Sequence, residues 1–362
     1  MNARAFQEAY TTIELLTPNG PEFRRVSTAP ARQPRNEEIP LIDLGSINDD
    51  REVRKSIAEQ VRKAAENTGF FYIYNHGIQD SLIQDALAQA KAFFEQRLED
   101  KAKLLPEHTG PGVGYRGVSS TQINRTESRD RKETFAIQYD TRYDPTHNSS
   151  SDTITADEET VKNHDLIWKH TQRLQGFQAT TVSFWQERLQ LAQKLVRIFA
   201  LALNLPEDYF DAITTHPGAD ALYIHYPPSP PRSPDDTIDV GIGSHTDIQL
   251  FTLLWQDNSG GLQVLSSTEE WLDARPIEGT LVVNVGDFLQ RLSNDRFRST
   301  VHRVYNTTEQ SRYSMPFFFG FNANAVCEVV PTCVDDERPA KYAPISCGEW
   351  RQQRFALASK LS

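Results

Sequence analysis

The run Gly243-Ser244-His245-Thr246-Asp247 sets an imidazole and a carboxylate two residues apart, followed by the apolar Ile248, Leu250 and Leu253. Residues i and i+2 of a strand point to the same face, so His245 and Asp247 are expected side by side at the mouth of an apolar barrel. Together they form two-thirds of a 2-His-1-carboxylate triad, the ligand set that holds non-haem Fe(II) while leaving coordination positions open. The third ligand should be a histidine on another strand. His302, 55 residues beyond Asp247 inside the alternating run STVHRVYN, meets that need. A lone H-x-D is more often an ordinary surface pair; the strand context and the distal histidine lift this one above that reading. Ten residues past His302, Arg312 and Ser314 again share a face, and Met315-Pro316-Phe317-Phe318-Phe319 make the surroundings apolar. A guanidinium there calls for a carboxylate held by two parallel hydrogen bonds, with the hydroxyl adding another. One of the protein's own acids could serve; beside a metal triad, a carboxylate-bearing cosubstrate is the better partner.

The elements that must position these groups are legible in outline. Residues 1–36 read as an extension that is loosely ordered or draped over the surface. A module over 37–205 is mainly helical. It opens on a short strand (IPLIDL, 39–44) and a helix over 51–67 with Val53, Ile57, Val61, Ala64 and Ala65 on one stripe. A buried strand follows in GFFYIYNHGI (69–78), then a helix from Asp80 or Ser81 to about Leu98, a long loop over 106–130 and a strand in KETFAIQY (132–139). A polar insertion occupies about 140–165. A helical stretch then carries Leu189, Ala192, Val196, Phe199 and Leu203 inward, until Pro206 stops it. From 206 to 345 short β-rich runs recur between turn residues (ALYIHY, IQLFTLLW, GLQVL, GTLVVNVG, STVHRVYN, RYSMPFFFGF, AVCEVV), the texture of a barrel or jelly roll. Residues 346–362 read as a C-terminal helix. The class is α+β: a double-stranded β-helix (jelly-roll) core with a helical N-terminal part.

Composition removes other functions. The 362 residues are 38% hydrophobic and 24% charged, enough for a sizeable core, and the net charge of −11 argues against nucleic acid and anionic lipid as partners. Three cysteines (Cys327, Cys333, Cys347) make no disulfide framework and lack zinc spacing. No apolar stretch reaches the ~20 residues of a membrane span, and no secretory signal opens the chain, so a cytoplasmic location is expected. Gly112-Val113-Gly114-Tyr115-Arg116-Gly117 fits G-x-G-x-x-G, yet it follows a loop rather than a strand and is dismissed as a dinucleotide site. His76 reads as a turn residue with a structural hydrogen bond, His225 as a packing or surface residue facing away from Tyr226, and His164 as surface.

The chain resembles the Fe(II)/2-oxoglutarate-dependent dioxygenases of the isopenicillin-N-synthase-like class. IPLIDL with GFFYIYNHGI, GYRG at 114–117, KETF at 132–135, Tyr226-Pro227-Pro228, H-T-D, the distal histidine and R-x-S-x-P-F-F stand in the family's order, over most of 39–355. The resemblance implies that His245, Asp247 and His302 bind iron, that Arg312 and Ser314 bind the far carboxylate of 2-oxoglutarate, and that Tyr226 lies near that cosubstrate. Many members carry Asn two before the tyrosine, where this chain has Ile224. Three protein ligands leave two positions for the 2-oxo acid and one for O2, and oxidative decarboxylation would yield succinate, CO2 and a ferryl oxidant. The expected substrate is a small organic molecule of specialised metabolism, hydroxylated, desaturated or closed into a ring, with no obligate protein partner. Tyr115, Arg116, Phe135, Ile137 and Phe318 are the substrate-facing candidates, and Trp350 and Phe355 a candidate lid. Three other readings stay open: a 2-oxoglutarate-independent four-electron oxidase of the same fold, in which R-x-S would hold a substrate carboxylate; a non-catalytic jelly-roll binding protein; and a peptide or protein hydroxylase, which the resemblance favours less than a small-molecule enzyme.

Overall fold

The computed structural model describes residues 9–18, 20–146, 158–229, 239–306 and 308–359. Besides one-turn helices, the elements in chain order are β1 (Tyr10–Thr17), β2 (Gly20–Ser27), β3 (Leu41–Asp43), α1 (Arg51–Asn67), β4 (Phe70–Tyr74), α2 (Asp80–Phe94), β5 (Gly114–Arg116) and β6 (Glu133–Ile137). Next come α3 (Glu158–Thr171), α4 (Phe177–Ala202), β7 (Pro217–Tyr226), β8 (Ile242–His245), β9 (Phe251–Gln256), β10 (Leu262–Leu265), β11 (Trp271–Asp273) and β12 (Leu281–Val285). The chain closes with α5 (Asp287–Leu292), β13 (His302–Val304), β14 (Arg312–Asn322), β15 (Val326–Cys327), β16 (Ile345–Ser346) and α6 (Cys347–Ser359).

Period-two alternation sorts the strand residues into two cores. The large sheet runs β3-β4-β12-β9-β14-β7-β6-β5 and the smaller one β11-β10-β13-β8. On one face of the large sheet, Phe71, Ile73, Phe251, Leu253, Val283, Met315 and Phe317 pack against Ile57 and Val61 of α1, Ala86 and Phe93 of α2, and Leu189, Ala192 and Val196 of α4. On the other face, Phe70, Tyr72, Ile224, Tyr226 and Val282 meet Leu262, Val264, Leu272 and Val304 of the smaller sheet. Two facing sheets with helices on the outer side give the expected jelly-roll core and helical N-terminal part. The α1 stripe is buried as its spacing predicts, and the Asp50 carboxylate caps the helix by accepting from the N–H groups of Glu52 and Val53. Pro316 sits inside β14, a central strand, where it removes a ladder donor. The buried Arg188 of α4 donates Nη1 to the carbonyls of Met315 and Pro316 at 3.3 and 3.4 Å on that stretch.

Three expectations need correction. Of the two readings of the N-terminal extension, loose order fails over 10–17 and 20–27: β1 and β2 pair antiparallel from Tyr10↔Ser27 to Thr17↔Gly20, and Ile13 and Val26 pack on Trp271 and Val301. The helical stretch begins earlier than expected, at Glu158, and is two helices, separated before Gly176, whose φ of 80° lies in the left-handed region. His164 is not on the surface; it is fully buried and donates Nδ1–H to Asp140 at 2.9 Å. Of the expected polar insertion, residues 147–157 lie outside the described residues.

Candidate metal and cosubstrate site

His245, Asp247 and His302 converge. Their ligand atoms lie within 4.8 Å of one another, with Asp247 Oδ1 3.7 Å from His245 Nε2 and 3.8 Å from His302 Nε2. The route differs from the one the sequence suggests. Strand β8 ends at His245, so Asp247 stands in the connection to β9, not on a shared strand. His302 opens β13 and is paired directly with His245.

Each ligand is fixed by its remaining polar atom. A carbonyl can only accept, so His245 must carry its proton on Nδ1, bonded to Gly243 O at 2.7 Å, and His302 on Nδ1, bonded to Thr300 O at 3.1 Å. Both Nε2 lone pairs are thereby turned inward. Asp247 Oδ2 accepts from Thr252 Oγ1 at 2.5 Å and Asn284 Nδ2 at 2.7 Å, which leaves Oδ1 for the shared point. Burial and the neighbouring His302 pull the His245 imidazole down to about 4, so it is neutral at pH 7. Burial pushes the Asp247 carboxyl up, but the imidazoles of His302 and His245 and the bonds from Asn284 and Thr252 outweigh it and hold the group below its ordinary value. A neutral His245 imidazole and an ionised Asp247 carboxylate are states a divalent cation needs, and two imidazoles with one carboxylate form a donor set that fits Fe(II).

Across the interior, Arg312 and Ser314 project from β14 on the face opposite Tyr313 and Met315, and both are almost fully buried. Arg312 donates Nε–H to Gly260 O at 2.6 Å and Nη2–H to Gln256 Oε1 at 3.0 Å, and its guanidinium lies 4.6 Å over the Tyr226 ring. Nη1 is buried with no hydrogen-bond partner, and Arg312 has no acidic partner among the described residues. Among the described residues, none of the protein's own acids neutralises Arg312. A buried cation with an idle donor is costly, and a carboxylate-bearing ligand removes that cost.

Of the substrate-facing candidates, Tyr115, Phe135 and Ile137 are corrected. All three are buried in the helix-side core; Phe93 lies 6.2 Å from the Tyr115 ring and 4.5 Å from that of Phe135. The Tyr115 hydroxyl donates to Glu133 Oε2 at 2.7 Å. Arg116 alternates with Tyr115 and is exposed at the sheet edge. Phe318 shares the face of Arg312 and Ser314 and stands opposite Thr252 on β9 and Asp220 on β7. Trp350 is no lid: it is buried, packs on Phe288 and donates Nε1–H to Ile248 O at 2.9 Å. Phe355 is half exposed. His225 faces away from Tyr226 as expected and bonds Glu133 at 2.8 Å and Ser311 at 2.9 Å. His76 Nδ1 accepts from the Ile78 N–H at 3.2 Å, the structural bond expected of it.

Several contributors escaped the sequence reading. Thr252 and Asn284, which orient Asp247, are single polar residues inside the apolar runs FTLLW and LVVNV, and that misfit was the signal available. The C-terminal helix α6 bonds the β8–β9 connection directly through Trp350 on Ile248 O, and its flanks through Arg351 on Asp220 of β7 at 2.9 Å and Arg354 on Asp287 of α5 at 2.7 Å. Gly286 is needed for its closeness to that connection: a Cβ there would lie 2.2 Å from Gln249 O.

A jelly roll that brings two histidines and an aspartate together, with a buried arginine that has no acidic partner among the described residues, defines a class, and comparison with known proteins agrees with it. The 2OG-Fe(II) oxygenase superfamily matches residues 218–321, and the N-terminal region of the non-haem dioxygenases described from morphine synthesis matches 39–157. The 2-oxoglutarate-Fe(II) type oxidoreductase ppzC of Metarhizium rileyi is 38% identical over 360 residues, 97% of this chain and 96% of its own. The 2-oxoglutarate-Fe(II) type oxidoreductase hxnY of Emericella nidulans is 33% identical over 315 residues, 85% and 86% of the two chains. A full-length Neurospora crassa protein solved in complex with alpha-KG matches the structure with a TM-score of 0.72 at 28% identity, over 91% of this chain and 100% of that one. The same Neurospora protein has also been solved with thymine and with 5-formyluracil. This chain belongs to the 2-oxoglutarate- and Fe(II)-dependent oxygenases. It is an oxidoreductase of a family that uses Fe(II), 2-oxoglutarate and O2. No helix among the described residues is long and apolar enough to cross a membrane.

Proposed function

We propose that His245, Asp247 and His302 hold the Fe(II), that Arg312 and Ser314 receive the distal carboxylate of 2-oxoglutarate with Tyr226 beneath the guanidinium, and that the substrate is a small organic molecule seated beside Phe318. The observation that carries this reading is the triad in which each ligand's other polar atom is already bonded, leaving Nε2, Nε2 and Oδ1 turned to one point. With metal, cosubstrate and O2 bound, the site supplies oxidative decarboxylation to succinate and CO2, coupled to oxidation of a substrate C–H bond. The protein's own part is positional. Gly243 and Thr300 hold the imidazole tautomers, Thr252 and Asn284 hold the carboxylate, and Gln256 and Gly260 aim the guanidinium. The apolar wall of Leu262, Val264, Val282 and Val304 keeps water away from the reacting centre.

The test is turnover under O2 with Fe(II) and 2-oxoglutarate against a panel of small metabolites, following succinate and product mass together. Thymine and 5-formyluracil belong in that panel because the similar Neurospora protein was solved with both. Succinate in step with a product heavier by one oxygen, lighter by two hydrogens, or ring-closed supports the reading. Product formed without 2-oxoglutarate would assign Arg312 to a substrate carboxylate and make the enzyme an oxidase. Absence of metal binding by the folded protein would leave only a binding module.

A further inference from the structure

Strand β8 lies at the edge of the smaller sheet, paired with β13 alone. Its register is broken: His245 faces His302 and Ile242 faces Val304, so Gly243 and Ser244 stand together against the single residue Arg303. Two residues against one is a β-bulge, a device that re-aims side chains beside active sites and leaves backbone donors unpaired. Here both donors are taken by carboxylates of the loop between β5 and β6. Asp130 Oδ1 accepts from Gly243 N at 3.1 Å, and Glu127 Oε2 accepts from Ser244 N. Glu127 Oε1 also accepts from Ser244 Oγ at 3.0 Å and lies 3.9 Å from Arg303 Nη1, and the Glu127 side chain is 12% exposed. Asn124 Nδ2 donates to Ser244 O at 3.0 Å.

The N–H of Ser244 and the C=O of Gly243 belong to one peptide group. That C=O is the acceptor for His245 Nδ1–H at 2.7 Å. Glu127, the 243–244 peptide and the imidazole therefore form one line of hydrogen bonds ending at Nε2. A carboxylate on the peptide N–H raises electron density on its carbonyl oxygen, which strengthens the bond to Nδ1–H and with it the donor power of Nε2. We propose that Glu127 is a positioning residue for the metal site, acting on His245 through the bulged 243–244 peptide. The proposal rests on the reading of His245 as a metal ligand.

The experiment titrates the purified full-length chain, with no other metal present, with Co(II) alone, recording affinity and the visible d–d spectrum, with circular dichroism to check folding. The variants are Glu127→Gln, Glu127→Ala, Asn124→Ala and His245→Ala. Direct hydrogen-bond partners of metal-binding histidines change affinity by about 10–100-fold. Through an intervening peptide, Glu127→Gln should weaken Co(II) by about 3–10-fold with an altered spectrum, and Glu127→Ala by more. Glu127→Gln keeps both shape and an acceptor oxygen, so it decides the matter if the alanine variant does not fold. Asn124→Ala removes an equivalent contact on the same strand edge, outside the relay, and should lower thermal stability while leaving Co(II) affinity alone. Parent affinity and spectrum in folded Glu127→Gln, or an equal loss in Asn124→Ala, overturns the proposal. Co(II) binding by the parent that survives in His245→Ala removes the ligand assignment itself, and the proposal with it.

Discussion

Asp247 divides its two oxygens between tasks, one free at the triad and one held by Thr252 and Asn284. Removing a donor to a charged acceptor costs about 1.5–3 kcal/mol, and partners of this kind are worth about 10–100-fold in metal affinity. Asn284→Ala is therefore expected to weaken Fe(II) or Mn(II) binding by that factor while the protein stays folded, which a metal titration beside circular dichroism will show. Arg312→Lys keeps the charge and loses the planar fork. Its expected effect is a 2-oxoglutarate requirement raised about ten- to a hundredfold, at 1.4 kcal/mol per decade, with metal affinity unchanged. A cosubstrate titration of wild type and variant that superimposes would mean that Arg312 holds something else. At this scale the sequence was most informative: the residue types and their spacing pointed to three side chains that do converge, and the apolar setting of Arg312 to a guanidinium that is buried. Thr252, Asn284 and Glu127 were less visible, because a hydrogen bond to a ligand's far atom leaves no spacing rule behind.

Elements decide which of those side chains meet, and here sequence reading was weakest for a definite reason. Phe135 and Ile137 lie on a strand as expected and Tyr115 on one where a loop was expected, all three facing the helix-side core, since a one-residue change of register turns every side chain over. Nothing in GYR or ETFAI fixes their parity relative to β14; only the pairings Phe135↔Tyr223 and Tyr115↔Phe135 do so. The hairpin β1–β2 was hidden because much of it is exposed, which blurs its alternation. His245 and Asp247 came together although β8 stops between them, because the connection turns Asp247 back under Thr252 and Asn284. That connection leaves no room beside Gly286. Its Cβ-free backbone accepts the close approach of Gln249 O, and Asp287 N bonds Asp247 O at 2.7 Å. Gly286→Ala must displace residues 247–249, at a cost of at least the ~1–3 kcal/mol of an overpacked site. A lowered melting temperature together with weakened metal binding is the expected pair of results; a loss of stability with unchanged metal affinity would show that the connection can move without its ligand.

Across the whole molecule, helices and sheet are also joined by buried polar groups outside the candidate site, Asp140 and His164 among them. Burial opposes the charge on Asp140, but hydrogen bonds from His164 and Arg142 outweigh it and hold the carboxyl well below its ordinary value. A depressed folded value means that the group stabilises the fold fully at neutral pH, above the unfolded value of about 3.9, and that this contribution fades as pH falls below about 4. Asp140→Asn should be less stable than wild type at pH 7 and lose less on acidification. Urea midpoints between pH 3 and 7 will report it, and parallel acid limbs would exclude Asp140 as a source. The large sheet lies between two such environments. Along β14, Arg312, Ser314 and Phe318 look toward the triad while Tyr313, Met315, Phe317 and Phe319 look toward the helices. A change at 313, 315, 317 or 319 disturbs the packing of the helices, whereas, with the substrate seated as proposed, one at 318 is expected to alter what the enzyme oxidises, so substrate preference could be changed through alternate positions of a single strand without repacking the helices behind it.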